Sequence, residues 1–253
     1  MTAPSSTARR IWDALHRVRV TLRRVPLARW TWDTAFKAIK LARRRGQVAR
    51  YLNAHEQRYL RLGSGTHTDP DWLSVDIRLD PPGVVFMDVT KPLPLPSGSF
   101  DAVQCEHVIE HISYEAGLAM LSECHRVLRT GGTVRIATPN LDLISRLINA
   151  GDTDPALKSY VEWSNSQFGT PAERRDTWNP AFAANRMVRH FGHAFIYDET
   201  TLRGALTAAG FRDVIPVTPG VSSHAELQGI DRHHEEIGKQ WDDLETLALE
   251  GTA

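Results

Sequence analysis

Residues 58–76 read Arg-Tyr-Leu-Arg-Leu-Gly-Ser-Gly-Thr-His-Thr-Asp-Pro-Asp-Trp-Leu-Ser-Val-Asp. A short apolar run breaks at Gly63, Ser64 and Gly65, and a second run ends in a carboxylate, Asp76. Glycines directly after a strand let a ligand approach bare backbone, and an acid at the end of the next strand accepts two ribose hydroxyls. This pairing points to an open α/β sheet holding a nucleoside at its strand ends. The third glycine of G-x-G-x-x-G is missing, which disfavours a pyrophosphate-bearing dinucleotide.

The pattern continues in order. Val84-Val85-Phe86-Met87 is a third apolar run and ends in Asp88; Ser99 to Cys105 is a fourth. A helical stretch from Ala116 to Leu128 is closed by Arg129-Thr130-Gly131-Gly132, and a β-branched run, Thr133 to Ala137, follows. Helix, glycine stop and strand is the rhythm of a parallel sheet.

With Leu62-Gly63-Ser64-Gly65, Asp76, Asp88, Phe100-Asp101-Ala102-Val103, His107-Val108-Ile109-Glu110-His111 and Glu123 to Gly132 in this order, the chain resembles the class I S-adenosylmethionine-dependent methyltransferases of type 11. The resemblance covers residues 58–140 and extends more loosely to 214 through Tyr197 to Leu202 and Ala209-Gly210-Phe211. It implies a Rossmann-like, mostly parallel seven-stranded sheet with helices on both faces. It adds an N-terminal helical segment and an insertion after the fifth strand. It also implies that S-adenosylmethionine lies with its methionine part against Leu62, Gly63, Ser64 and Gly65. Asp76 would bind the ribose diol and Asp88 the adenine amine, with Val89 beside the ring. Cys105 and Glu106 would face the methionine moiety or the methyl. One departure stands out: from Gly65 to Asp76 there is little room for the usual helix, and Pro70 disfavours one further.

A chain of 253 residues buries one substantial core. Formal charge is balanced, so no global field argues for DNA. The balance hides a split, because before Leu62 arginines and lysines recur every few positions against only Asp13, Asp33 and Glu56. Cys105 and Cys124 make no disulfide framework, and the arginines leave residues 1–30 without a signal-like apolar run. A cytoplasmic protein is expected. Residues 1–57 read as a disordered start to Ala8 and then a basic helical segment. Ile11, Trp12, Leu15, Val18 and Leu22 lie at helix spacing, with breaks at Pro26 and Gly46. The preferred expectation is that this segment packs on the sheet as a lid; the alternative is docking to a membrane surface or a polyanion. Residues 58–218 form the cofactor-binding domain, with 141–195 as an insertion covering the acceptor. Residues 219–253 form a helical tail, acidic from His233, with Trp241, Leu244 and Leu247 on one apolar face.

Three sets of residues bear on chemistry. His107, Glu110 and His111 share one helical face at i, i+3 and i+4 and would suit a divalent metal ion of the transition series. The same string fits the H-x-x-E-H pattern of a zinc protease, but that motif belongs on another fold. Methylating a hydroxyl needs a base, for which His193 comes first, then His107 or His111, then Asp142 just after the fifth strand. Trp163, Asn165, Arg174, Trp178 and His190 in the insertion would form an aromatic, amide-lined acceptor site. Resemblance to methyltransferases of bacterial glycan and secondary-metabolite pathways points to a sugar or oligosaccharide hydroxyl. The expected function is O-methylation of such a small-molecule or oligosaccharide acceptor. The alternatives are an RNA or lipid-linked substrate docked by the basic segment, and a non-catalytic cofactor-binding subunit. Oligomeric state is not legible in the sequence.

Overall fold

The computed structural model describes residues 26–78, 83–149 and 154–253, with side chains of the first helix from residue 34 onward. Its sheet has seven strands in the order β3-β2-β1-β4-β5-β7-β6. These are β1 (Tyr59–Leu62), β2 (Trp72–Asp76), β3 (Val85–Phe86), β4 (Phe100–Glu106), β5 (Leu128–Pro139), β6 (Arg212–Val217) and β7 (Thr246–Thr252). Strands β1 to β5 pair in parallel, and β7 runs antiparallel between β5 and β6. Strand order reverses between β1 and β4, and open α/β sheets bind ligands at such a reversal.

One face of the sheet carries Leu60, Leu62, Val103, Cys105, Val134 and Ile136 into the main core. Helices Tyr114–Val127 and Glu199–Ala208 cover it with Met120, Leu121, Cys124, Leu202 and Leu206. Local signals start these helices: Ser113 Oγ accepts from Ala116 N, and Asp198 Oδ1 accepts from Thr201 N at 2.7 Å. Between β1 and β2 no helix forms, in keeping with the short Pro70 segment.

The opposite face is covered over β1, β2 and β4 by a strap, residues 218–232, with Leu227 and Ile230 packing on Trp72 and Ala102. Arg135 on β5 ties the strap down. Fully buried, it bonds Asp231 through Nε at 3.0 Å and Glu250 at 2.6 Å, and reaches the carbonyls of Val221 and Thr218. Removing one partner of a buried charge pair typically costs about 3–5 kcal/mol. Asp231→Ala should therefore lower stability by about 3 kcal/mol in denaturant titration; a loss below about 0.5 kcal/mol would mean that the strap is held otherwise.

Helix Pro26–Ala54 rests Phe36, Val48 and Tyr51 inward and bonds Lys40 Nζ to Val84 O at 3.3 Å, beside the β3 edge. Arg43, Arg45 and Arg50 are exposed. Gly46 does not break it. The helix runs through, and a glycine in an open helical position weakens it by about 1 kcal/mol without ending it. Pro26 is its first described residue, and the helix expected from Ile11 to Leu22 lies outside the described residues.

Two further expectations are corrected. Arg129 to Gly132 is not a loop before the fifth strand; β5 begins at Leu128, directly after the helix. The tail is helical only over His233–Ile237 and Lys239–Glu245, and Leu247 lies in β7. The run Thr-Leu-Ala-Leu-Glu is a good local helix former, but pairing on both sides by β5 and β6 overrides that preference. The sheet therefore extends beyond residue 218, to Thr252.

The insertion folds as helices Leu141–Asn149, Pro155–Phe168 and Pro180–Arg189 around a second apolar cluster. Trp241 and Leu244 from the C-terminal helix pack on that cluster, with Trp241 stacked on Trp163 at 5.2 Å.

Candidate active site

Two adjoining cavities open at the carboxyl ends of the central strands. The smaller, about 230 Å³, is lined by the Gly63-Ser64-Gly65 turn together with Arg61, Leu62, His67, Gln104 and Glu106. The larger, about 520 Å³, lies between the sheet and the insertion, against Glu110, His111, Tyr160, Phe168, Arg186, Phe191 and His193. Arg78, His107, His233 and Glu236 line both and form their common boundary.

Backbone geometry shapes the smaller cavity. Gly63 and Gly65 have φ of +64° and +58°, and a Cβ on Gly63 would lie 2.0 Å from Val108 Cγ2. The turn is anchored by Asp76, whose Oδ2 accepts from Gly65 N at 2.8 Å and whose Oδ1 accepts from Arg78 N at 2.6 Å. Buried Ser64 Oγ and Gln104 Oε1 have no hydrogen-bond partner among the described residues. A nucleoside's amino-acid tail fits such a wall, with tight backbone at the turn and unspent polar atoms; Asp76, Asp88 and Val89 line neither cavity, and Asp76 holds the turn from behind. Asp88 is half-buried and accepts from Thr90 N and Oγ1, and Val89 packs against the core.

Cys105 and Glu106 part company. Cys105 points into the main core, and burial pushes its thiol well above the ordinary value. Glu106 lines the smaller cavity and accepts from Arg232 N and His233 N at 2.8 Å each. Burial, with Asp231 nearby, raises its pKa.

The His107-to-His111 string is not one helical face. His107 adopts φ +49°, and only Ile109–His111 form a 3₁₀ turn. Glu110 still gathers the imidazoles: its Oε1 lies 3.2 Å from His107 Nδ1 and 3.8 Å from His111 Nε2, while Oε2 accepts from Thr138 Oγ1. Burial alone would lower the His107 pKa, but the hydrogen bond and charge of Glu110, with Glu106 and Glu245, hold it up at about 9. His107 is thus cationic at neutral pH. Its ring lies 3.8 Å from that of His233, which bonds Glu245.

His193 meets His111 edge-on at 5.0 Å between ring centroids. Its Nδ1 bonds the carbonyl of Met187, so Nδ1 carries the proton and Nε2 is left as the acceptor. Burial holds its pKa below the ordinary imidazole value. Ligand atoms of Glu110, His111 and His193 lie within 4.8 Å of one another, as do those of His107, His233 and Asp242. The expected trio of His107, Glu110 and His111 is divided between these two sets.

The other sequence candidates stand elsewhere. Asp142 is exposed on the first turn of its helix, away from both cavities. Asn165 is fully buried and holds the carbonyls of Thr177 and Asn179, and Arg174 bonds those of Gly169 and Gln167. Trp163 and Trp178 pack on the insertion's core, and His190 is exposed. They frame the insertion, whereas Tyr160, Phe168, Arg186 and Phe191 line its cavity. His233, Glu236 and Glu245, in the segment read as a tail, also line the site. The crowded run Asp231-Arg232-His233-His234-Glu235-Glu236 was the signal available for them.

Parts of the chain are similar to known proteins. Residues 30–136 match the family model described as a methyltransferase domain. A probable S-adenosylmethionine-dependent methyltransferase of Mycolicibacterium smegmatis is 50% identical over 48 residues, which are 19% of this chain and 18% of that protein. The chain thus matches less than a fifth of that relative's length. Among solved structures, an S-adenosylmethionine-dependent methyltransferase from Archaeoglobus fulgidus superposes with a TM-score of 0.46 at 18% identity, over 86% of this chain and 94% of that one. Phosphoethanolamine N-methyltransferase 2 of Haemonchus contortus gives 0.43 at 14%, over 78% and 49%. Those two likenesses are too distant to bear on this chain's chemistry. The sheet order is that of a Rossmann-like, mostly parallel seven-stranded sheet, and the stretch that matches the methyltransferase-domain model contains the glycine turn. Among the described residues no helix is long and apolar enough to cross a membrane.

Proposed function

We propose that this chain is an O-methyltransferase acting on a hydroxyl of a sugar, an oligosaccharide or a related polar metabolite. The carrying observation is the meeting of the two cavities at His107 and His233, with His193, whose Nε2 is left as the acceptor, lining the larger one. When bound, S-adenosylmethionine supplies an electrophilic methyl group. Gly63, Ser64 and Gly65 hold its amino-acid end, Asp76 its ribose and Asp88 its adenine. Phe168 and Phe191 offer aromatic faces to an acceptor ring, and Arg186 and Glu245 offer it hydrogen bonds. His193, kept neutral by burial, takes the hydroxyl proton as the oxygen attacks. Labelled methyl donor, offered with fractionated saccharides, lipids and RNA, tests the reading. Label is expected in the saccharide fraction with modest salt dependence. Label in RNA, with affinity falling steeply as salt rises, would instead favour docking by the exposed Arg43, Arg45 and Arg50. No label in any fraction would favour a non-catalytic subunit.

The Glu110, His111 and His193 cluster favours a second use of the same atoms. Two imidazoles and a carboxylate suit a transition-metal ion. The two uses exclude each other, because His193 Nε2 cannot both accept a proton and ligate. Activity is expected to survive chelation; loss on chelator treatment with recovery on metal add-back would transfer His193 to a metal site.

A further inference from the structure

The smaller cavity has a charged wall that neither the glycine turn nor the strand-end acids explain. Arg61 stands on β1 between Leu60 and Leu62, whose side chains enter the main core, so its own goes to the opposite face. It is only 4% exposed, lines the cavity, and lies 5.4 Å from the ring centroid of Trp72. Its Nε and one Nη have no hydrogen-bond partner among the described residues.

Among the described residues no acid forms an ion pair with Arg61, and each acid near it holds other hydrogen bonds. Glu106 receives the backbone N–H groups of Arg232 and His233. Asp231 is held by Arg135 and by Gly220 N. Asp69 accepts from Asp71 N. Burial disfavours the guanidinium's charged form and Arg232 adds to this, while Asp69, Glu106 and Asp231 offset it in part from a distance. A buried guanidinium without an anion is costly, and its planar fork matches a carboxylate. The wall is therefore complete only when a ligand brings an anionic group.

This inference rests on the cofactor reading above. The cofactor carries one carboxylate, at its amino-acid end, and Arg61 precedes Gly63 by two residues at that end of the site. We infer that Arg61 binds the α-carboxylate of the cofactor, with Ser64 Oγ as a second donor. Gln104 Oε1 accepts from the neighbouring ammonium. Ser64 Oγ and Gln104 Oε1, both buried and unpartnered, then acquire the hydrogen bonds they lack.

Calorimetry with S-adenosylhomocysteine, and with the same thioether lacking only its carboxylate, tests this on the full chain and on Arg61→Met. The variant should bind S-adenosylhomocysteine about 10- to 100-fold more weakly, the effect typical of a lost charge-assisted pair, and the decarboxylated analogue about as well as the parent does. Because the change removes a buried unpaired charge, the ligand-free melting temperature should hold or rise. Equal losses for both ligands, or no loss for either, would overturn the assignment, as would a lower melting temperature without ligand selectivity. If the parent chain binds neither ligand, the cofactor reading itself fails, a result distinct from these.

Discussion

His193→Ala is expected to lower turnover by about 10²- to 10⁴-fold, the usual contribution of a positioned general base, while cofactor affinity stays within about twofold. The expectation rests on geometry. Met187 O fixes the tautomer, leaving Nε2 as the only acceptor of the ring, and that ring lines the 520 Å³ cavity. Of the competing bases, His111 lines the same cavity with its Nε2 3.8 Å from Glu110 Oε1. His107 is cationic, with a pKa near 9, and Asp142 lies outside both cavities. The pH profile adds a signed test. The base works in its neutral form and burial lowers its pKa, so activity should persist below the ordinary imidazole range and fall only at more acid pH. A turnover unchanged by His193→Ala would move the base elsewhere.

Asp76→Ala should weaken cofactor binding by about a hundredfold or more. Two losses combine, each of the size of a hydrogen bond to a charged group, about 1.5–3 kcal/mol. One is the acceptor for the ribose diol. The other is the anchor of the glycine turn, since Asp76 Oδ2 holds Gly65 N at 2.8 Å. Asp76→Asn keeps one acceptor oxygen and should fall between parent and alanine variant. Unchanged calorimetric affinity in Asp76→Ala would contradict the placement of the cofactor.

These two residues also mark what was legible in the chain. The strand end at Asp76 could be read because β1 to β5 are formed by consecutive segments, each an apolar run ending at a strand terminus. The missing helix before β2 could be read from Pro70 and the short Gly65-to-Asp76 interval. The acceptor wall was less accessible. Trp163, Trp178 and Asn165 look like binding residues by type, yet in the fold they hold the insertion together. Conversely, Thr246 to Thr252 has the composition of a helix and becomes a strand only because β5 and β6 present edges on either side. That placement brings His233, Glu236 and Glu245 back over the sheet's carboxyl edge, over a hundred residues from the His107 they face. Arg61 was hidden differently. A charged residue inside an apolar strand reads as solvent-facing, and only the strap over that face reveals it as buried.

The most direct measurement is a crystal structure with S-adenosylhomocysteine bound. The amino-acid end is expected between Gly63-Ser64-Gly65 and Arg61, the ribose at Asp76, and the sulfur at the boundary formed by Arg78, His107, His233 and Glu236, open toward His193. A sulfur facing away from the larger cavity, or a ligand bound outside the glycine turn, would contradict it.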